Sequence, residues 1–296
     1  MMLARSRPRF RPAVLALAAA ALLAAGCSSS GSSSTSSTGA SAASASGQAA
    51  AVTVPAGALG QPGTIRYCSD ISSPPLEFYK NGTTPTGSDI ALGNAIAAEL
   101  GVKAQWVNTA FAGIIPALQA GHCDAIISQL FNKASRRAVV NFVNYMYSSE
   151  AVLVRSGNPL HITGIDDLCG HKVAAETGTT VTTYLSQASA ACTAHGKPAI
   201  SVQTFLRDSD ALEQLGLGHV DAYGTTVETA SYDMTQAQGQ FEFAGKAFGQ
   251  ILTGIATTKS DTALEGAIAQ AFAKLQSNGT YKQIMTQWNL QLDMLK

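Results

Sequence analysis

Short apolar runs alternate with longer stretches of helical period along most of the chain. Ile65 to Ser69 predicts a first strand, and Ser88 or Asp89 caps a helix in which Ile90, Gly93, Ala97 and Leu100 share one face and Gly101 is the stop. A strand at Ala104 to Asn108, a helix from Gly113 to Ala120 and a strand from Asp124 to Ser128 follow. After Val152-Leu153-Val154 the pattern restarts: strand Lys172 to Ala175, helix Thr179 to Gln187, strand Ser201 to Phe205, helix Ser209 to Leu217, strand Val220 to Tyr223. A strand from Ile251 to Thr257 leads to a helix with Leu264, Ile268, Phe272 and Leu275 on one stripe, and a last helix holds Tyr281, Ile284, Met285 and Trp288. Strands alternating with helices predict an α/β fold with largely parallel sheets, and the repeat of the unit predicts two lobes. In such sheets ligands bind at the carboxyl ends of strands.

The first 26 residues stand outside this pattern. Arg5, Arg7, Arg9 and Arg11 precede an apolar run from Ala13 to Ala25 that is too short to span a bilayer, the signature of an export signal. It ends at Leu23-Ala24-Ala25-Gly26-Cys27, which resembles the processing box of bacterial lipoproteins, with lipidation expected at Cys27. Residues 28 to 50 are Ser, Thr, Gly and Ala apart from Gln48, with no apolar surface to offset the entropy of ordering. Residues 27–60 are therefore expected to form a tether, the Ser-rich part reaching about 25 to 30 Å. Without residues 1–26 the chain keeps 15 basic residues against 19 acidic, a net charge of −4, so nothing attracts nucleic acid.

Four cysteines remain in an exported body: Cys68, Cys123, Cys169 and Cys192. Cys169 and Cys192 bracket one predicted strand and helix and are the favoured disulfide. Cys68 lies late in its strand while Cys123 opens a strand expected parallel to it, several residues out of register, so this pair is left open between a bond and two buried thiols. No CxxC or metal-ligand spacing occurs, and no metal or cofactor is expected.

Asp70 after a strand, Gly87-Ser88-Asp89-Ile90, Phe111-Ala112-Gly113-Ile114-Ile115-Pro116-Ala117-Leu118, Cys123-Asp124-Ala125-Ile126-Ile127-Ser128 and Arg136 occur in a recognisable order. Gly178-Thr179-Thr180, Val220-Asp221-Ala222, Gly254-Ile255-Ala256, Asn278-Gly279-Thr280-Tyr281 and Trp288 continue it. This ordered set resembles the family 3 extracellular solute-binding proteins across residues 64 to 290. The resemblance implies a two-lobe fold of the periplasmic-binding-protein-like II class with two crossover strands, hinged near Val152 to Ser156 and Lys246 to Thr253. Lobe 1 would be residues 64–153 plus 251–296 and lobe 2 residues 154–250. It further implies a monomer at the outer face of the cell membrane, serving the permease and ATPase subunits of an ABC importer and performing no catalysis.

By the same resemblance, Arg136 clamps a ligand α-carboxylate, with Arg137 as the alternative. Gly178, Thr179 and Thr180 supply a helix-start anion grip. Phe111 is an aromatic wall and Asp70 an acidic pocket residue, and Ser73, Ser128, Gln129, Leu130 and Phe131 complete the lobe 1 side. The departures shape the expectation. Relatives that bind amino acids usually carry an ammonium-binding Asp where this chain has Thr226, an aromatic where it has Ser73, and a small hydroxyl residue where it has Phe131. Glu176, or nearby Glu228, is expected to replace the missing Asp, and Asp70 with Glu176 favours a cationic ligand, a basic amino acid or related amine-bearing acid. The rival class is an enzyme on the same scaffold, such as a cyclohexadienyl dehydratase-like lyase. Asp70, Glu77 and Glu176 could supply an acid or base, but His122, His161, His171, His195 and His219 form no catalytic or metal pattern.

Overall fold

A computed structural model describes residues 52–295. The expected signal, Cys27 and the Ser-rich tether lie outside them. The expected tether 27–60 is too long at its end: Val52 is buried in the core, Val54, Ala58 and Leu59 pack against it, and the Gly60 N–H donates to Asp124. These apolar side chains have enough area to cover the body, which the Ser-rich stretch lacks.

The first half comprises β1 (Thr64–Ser69), the hairpin β2 (Phe78–Lys80) and β3 (Thr84–Thr86), α1 (Ser88–Glu99), β4 (Lys103–Asn108), α2 (Ile114–Gln119), β5 (Ala125–Ile126) and α3 (Ala134–Arg137). The long β6 (Val140–Arg155) leads to β7 (Lys172–Glu176), α4 (Thr180–Ala194), β8 (Ser201–Phe205), α5 (Asp208–Gly216), β9 (Ala222–Thr226), α6 (Val227–Gln236) and β10 (Phe241–Phe243). β11 (Phe248–Thr258), α7 (Thr262–Ser277) and α8 (Thr280–Gln287) return to the first half. The main sheet runs β4-β1-β5-β11-β6-β9-β7-β8, with β10 also on β6. β1 pairs in parallel with β4 and β5, and β7 with β8 and β9, whereas β6 and β11 are antiparallel.

Period-two alternation divides the core into layers. In the first half Ile65 and Tyr67 face α1, α7 and α8, while Cys68 faces α2 with Ile126. In the second half Val152, Val154, Val173 and Ala175 meet Val181 and Leu185 of α4, and Ala151, Leu153, Ala174 and Tyr223 meet α5 and α6. Each half thus buries both faces of its sheet under helices, the arrangement that parallel strands require.

β6 and β11 join the halves. β6 pairs with β11 from Val140 to Ser148 and again at Glu150, where it also meets β9 and follows it to Val154. The expected first crossing at Val152 to Ser156 therefore falls several residues late: that stretch already belongs to the second half, because its apolar side chains are claimed by α4 and α5. The register of β11 against β6 shifts between Phe248 and Ile251, within the expected second crossing.

Two disulfides are formed, Cys68–Cys123 and Cys169–Cys192, each with Cα atoms 5.6 Å apart. The Cys68–Cys123 bond forms although the two residues are out of register, because β5 begins at Ala125 and Cys123 precedes the ladder, where the Asp124 N–H donates to the Arg66 carbonyl. The expected strand Asp124 to Ser128 keeps only Ala125–Ile126, since the chain bends away through Gln129, whose φ is 41°. Among the described residues no helix is long and apolar enough to cross a membrane.

Candidate functional site

The carboxyl ends of β1, β5, β7 and β9 point to one place, where a cavity lies between the halves. Its lining includes Ser73, Phe111, Ser128, Gln129, Phe131 and Arg136 from the first half and Glu176, Thr179, Thr180 and Thr226 from the second. Val181 of α4 and Gly224 of β9 complete one wall.

The halves touch across it. Arg136, buried in the short α3, donates to the Phe131 carbonyl at 3.2 Å and across the cleft to the Gly178 carbonyl at 3.3 Å, and its guanidinium lies 5.2 Å from the Phe111 ring centroid. Gln129 donates to Glu228 at 2.9 Å and accepts from Thr226 at 3.2 Å. The Ser72 hydroxyl accepts from the Asp208 N–H at 3.2 Å. This is a closed arrangement.

Other expected residues stand apart from the lining. Asp70 is buried behind it and accepts from Ser72 and from the Phe111 N–H, each at 2.7 Å, so it holds the aromatic wall in place. Leu130 is wholly buried beside Cys68 and Cys123, a core side chain rather than a wall of the cavity. Gly178 contributes its carbonyl. Arg137 is exposed and bonds to Asn132, so of the two arginines Arg136 alone faces the cavity. Glu228 is engaged by Ser148 at 2.7 Å as well as Gln129 and is absent from the lining, which takes it out of reach of the role expected for it.

Three lining carboxyls lay outside the expected site. Glu77 accepts from Ser128 at 2.9 Å. Asp208, at the start of α5, accepts from Tyr223 and from Thr225. Glu150 lies on β6, 2% exposed. For Asp208 the available signal was an acid placed after a strand at a helix start. For Glu150 it was a charge preceding an apolar run.

Burial dominates the electrostatics. It raises Glu150 to about 8, with the Glu228 carboxyl adding repulsion, and Asp208 to about 7 against the hydrogen bonds from Tyr223 and Thr225. It raises Glu228 to about 7, Asp233 to about 8, and Glu176 well above the carboxylate range, with Asp208 and Asp70 adding to the last. Arg136 is lowered to about 10 by burial, opposed by the Glu150 charge. Raised carboxyls make the folded state the tighter proton binder. Their contribution to stability is whole below about pH 4, where the unfolded chain is also protonated, and is lost as pH climbs through about 7 to 8. Asp124 and Asp167 are lowered instead, and their contribution disappears only in stronger acid. The ligand-free protein is therefore expected to melt at a higher temperature at pH 5 than at pH 8 in scanning calorimetry. A melting temperature that climbs across that interval contradicts this account.

Chemically, the cavity offers one cation, a helix start and a ring of acids. The Thr180 hydroxyl, at the first residue of α4, is buried without a hydrogen-bond partner, as is one oxygen of Glu176. Among the described residues no group of three metal-ligating side chains exists, and no histidine lines the cavity.

The model of the bacterial extracellular solute-binding proteins, family 3, matches residues 65–291. The L-arginine-binding protein of Pseudomonas aeruginosa is 29% identical over 81% of this chain and 92% of its own length. An ancestral arginine-binding protein solved with glutamine has a TM-score of 0.72 and 31% identity, over 78% of this chain and 99% of that one. The solved structure of an ancestral amino acid-binding protein, a precursor of cyclohexadienyl dehydratase, has a TM-score of 0.69 and 31% identity, over 76% of this chain and 95% of that one. With its two halves, shared strands and cleft at the strand ends, the chain belongs to the bacterial extracellular solute-binding proteins, family 3.

Proposed function

We propose that this protein is the substrate-binding component of an ABC importer, held outside the cell by lipid on Cys27, and that it captures a basic amino acid or a related amine-bearing acid without altering it. The observation that carries the ligand class is the charge of the cavity: Glu77, Glu150, Glu176 and Asp208 line it with Arg136 as its one cation. A single guanidinium beside the start of α4 suits one carboxylate, while buried acids that outnumber the cations favour a ligand cation that lets them ionise. Glu176, flanked by Asp208 and Asp70, is placed to receive the charged end of the ligand's side chain.

Titration calorimetry of the purified protein against arginine, lysine, ornithine, histidine, glutamine and glutamate tests this. A cationic amino acid is expected to bind most tightly and to release protons, so the observed heat varies with the ionisation enthalpy of the buffer. Preference for glutamate overturns the charge argument. A lyase reading draws support from the likeness to the dehydratase precursor and from Glu176 in the cavity, whose carboxyl burial raises well above the ordinary carboxylate range. Incubation with prephenate and arogenate separates the two, since a binding protein returns both unchanged.

A further inference from the structure

Glu150 is a carboxylate on the cavity wall to which no role has been given. It is 2% exposed, yet among the described residues no hydrogen bond reaches its carboxyl group and no ion pair joins it to Arg136 or Lys133. Its interaction with both is through space. A buried carboxylate is costly unless paired. The neighbouring cation does not resolve this, because the Arg136 guanidinium is directed to the carbonyls of Phe131 and Gly178.

The strand ladder explains its position. Glu150 on β6 is the direct partner of Thr226 on β9, and both line the cavity. Side chains directly opposite on antiparallel strands stand about 5 Å apart, so a charge on either reaches the same region of the cleft. Thr226 is itself occupied: its hydroxyl caps α6 and donates to Gln129. In an α-amino acid the ammonium and carboxylate groups share one carbon. A binding site must therefore present its anion grip and its cation grip near each other, and Arg136 and Glu150 line the same cavity with their charges acting on one another.

We infer that Glu150 is the counter-ion for the ligand's α-ammonium group and the residue by which this cleft selects α-amino acids over acids lacking that group. The inference rests on the reading of the cavity as an amino acid site. It assigns the two ends of a basic amino acid to different acids: Glu150 beside Arg136 for the α-centre, and Glu176 with Asp208 for the side chain.

The test compares L-arginine and L-lysine with 5-guanidinopentanoate and 6-aminohexanoate, which keep the carboxylate and distal cation but lack the α-amino group. Wild-type protein is expected to prefer the amino acids. Glu150→Gln, nearly isosteric, should weaken them by about tenfold or more and leave the deamino compounds within a few-fold, so the preference collapses. Adding Thr226→Asp to that variant should restore it, since Asp both caps a helix and returns a carboxylate to the same region. Unchanged selectivity in Glu150→Gln, or an equal loss for both ligand sets, overturns the assignment while leaving the amino acid site standing. Failure of the wild-type protein to bind any of the four overturns both. Should Glu150→Gln not fold, wild-type binding of the deamino compounds as tight as that of the amino acids is enough to reject it.

Discussion

Replacing Arg136 by alanine is expected to weaken capture of the ligand by about 30-fold to several thousand-fold. The guanidinium is the cavity's one cation, 7% exposed, and already committed through two hydrogen bonds to positions on both sides of the cleft. Its removal has two consequences. A ligand carboxylate would be enclosed without its charge partner, at a cost of about 2 to 5 kcal/mol. The Gly178 carbonyl would also lose a donor that links the halves. Lysine should not restore binding, because one ammonium cannot replace a planar fork that serves a carbonyl on each side and a carboxylate between them. Calorimetry on both variants checks this, and near-wild-type affinity in Arg136→Ala would place the anion grip elsewhere, with the start of α4 as the remaining choice.

Gly178→Ala should damage closure rather than the halves themselves. Gly178 has φ of +87°, and a Cβ added there would lie 2.9 Å from the Ala112 Cα across the cleft. The left-handed backbone costs a side chain about 1 to 2 kcal/mol in any state. The collision exists only when the halves meet, and overpacking of this kind costs about 1 to 3 kcal/mol, or about 5-fold to more than 100-fold in affinity. The expected signature is a small loss of melting temperature without ligand and a much reduced rise when ligand is added, with scattering profiles that stay extended at ligand concentrations that compact the wild type. Full ligand-induced compaction in Gly178→Ala would mean that the approach to Ala112 is not part of the captured state.

Much of this could be read from local pattern. The alternation of apolar runs placed most strands within a few residues, and β8 at Ser201–Phe205 as expected. Arg136, Phe111, Thr179, Thr180 and Glu176 were singled out by the family resemblance that the ordered motifs carry, and all five line the cavity. What escaped depends on distant parts of the chain. Glu150 lies inside a strand of 16 residues, and its place on the cavity follows from its register against β9, some seventy positions onward. The hinge was misplaced for the same reason, since which half claims a residue of β6 depends on the partner strand rather than on β6 itself. Glu228 was misread because its availability was decided by Ser148 and Gln129, neither near it in sequence.

The joint between the halves has a mechanical consequence. Where β11 passes from one half to the other, its register against β6 slips between Phe248 and Ile251, and Gly249 there has φ of 64°. A two-stranded ribbon resists sliding and twisting, because these would break its regular bonds, but at an interrupted rung it flexes with little to undo. A swing of one half over the other would therefore bend the ribbon at such a slip before it broke the regular bonds. A trapped solute then has little elastic resistance to overcome, and the lifetime of the shut form is governed by the contacts it makes across the gap rather than by recoil of the strands.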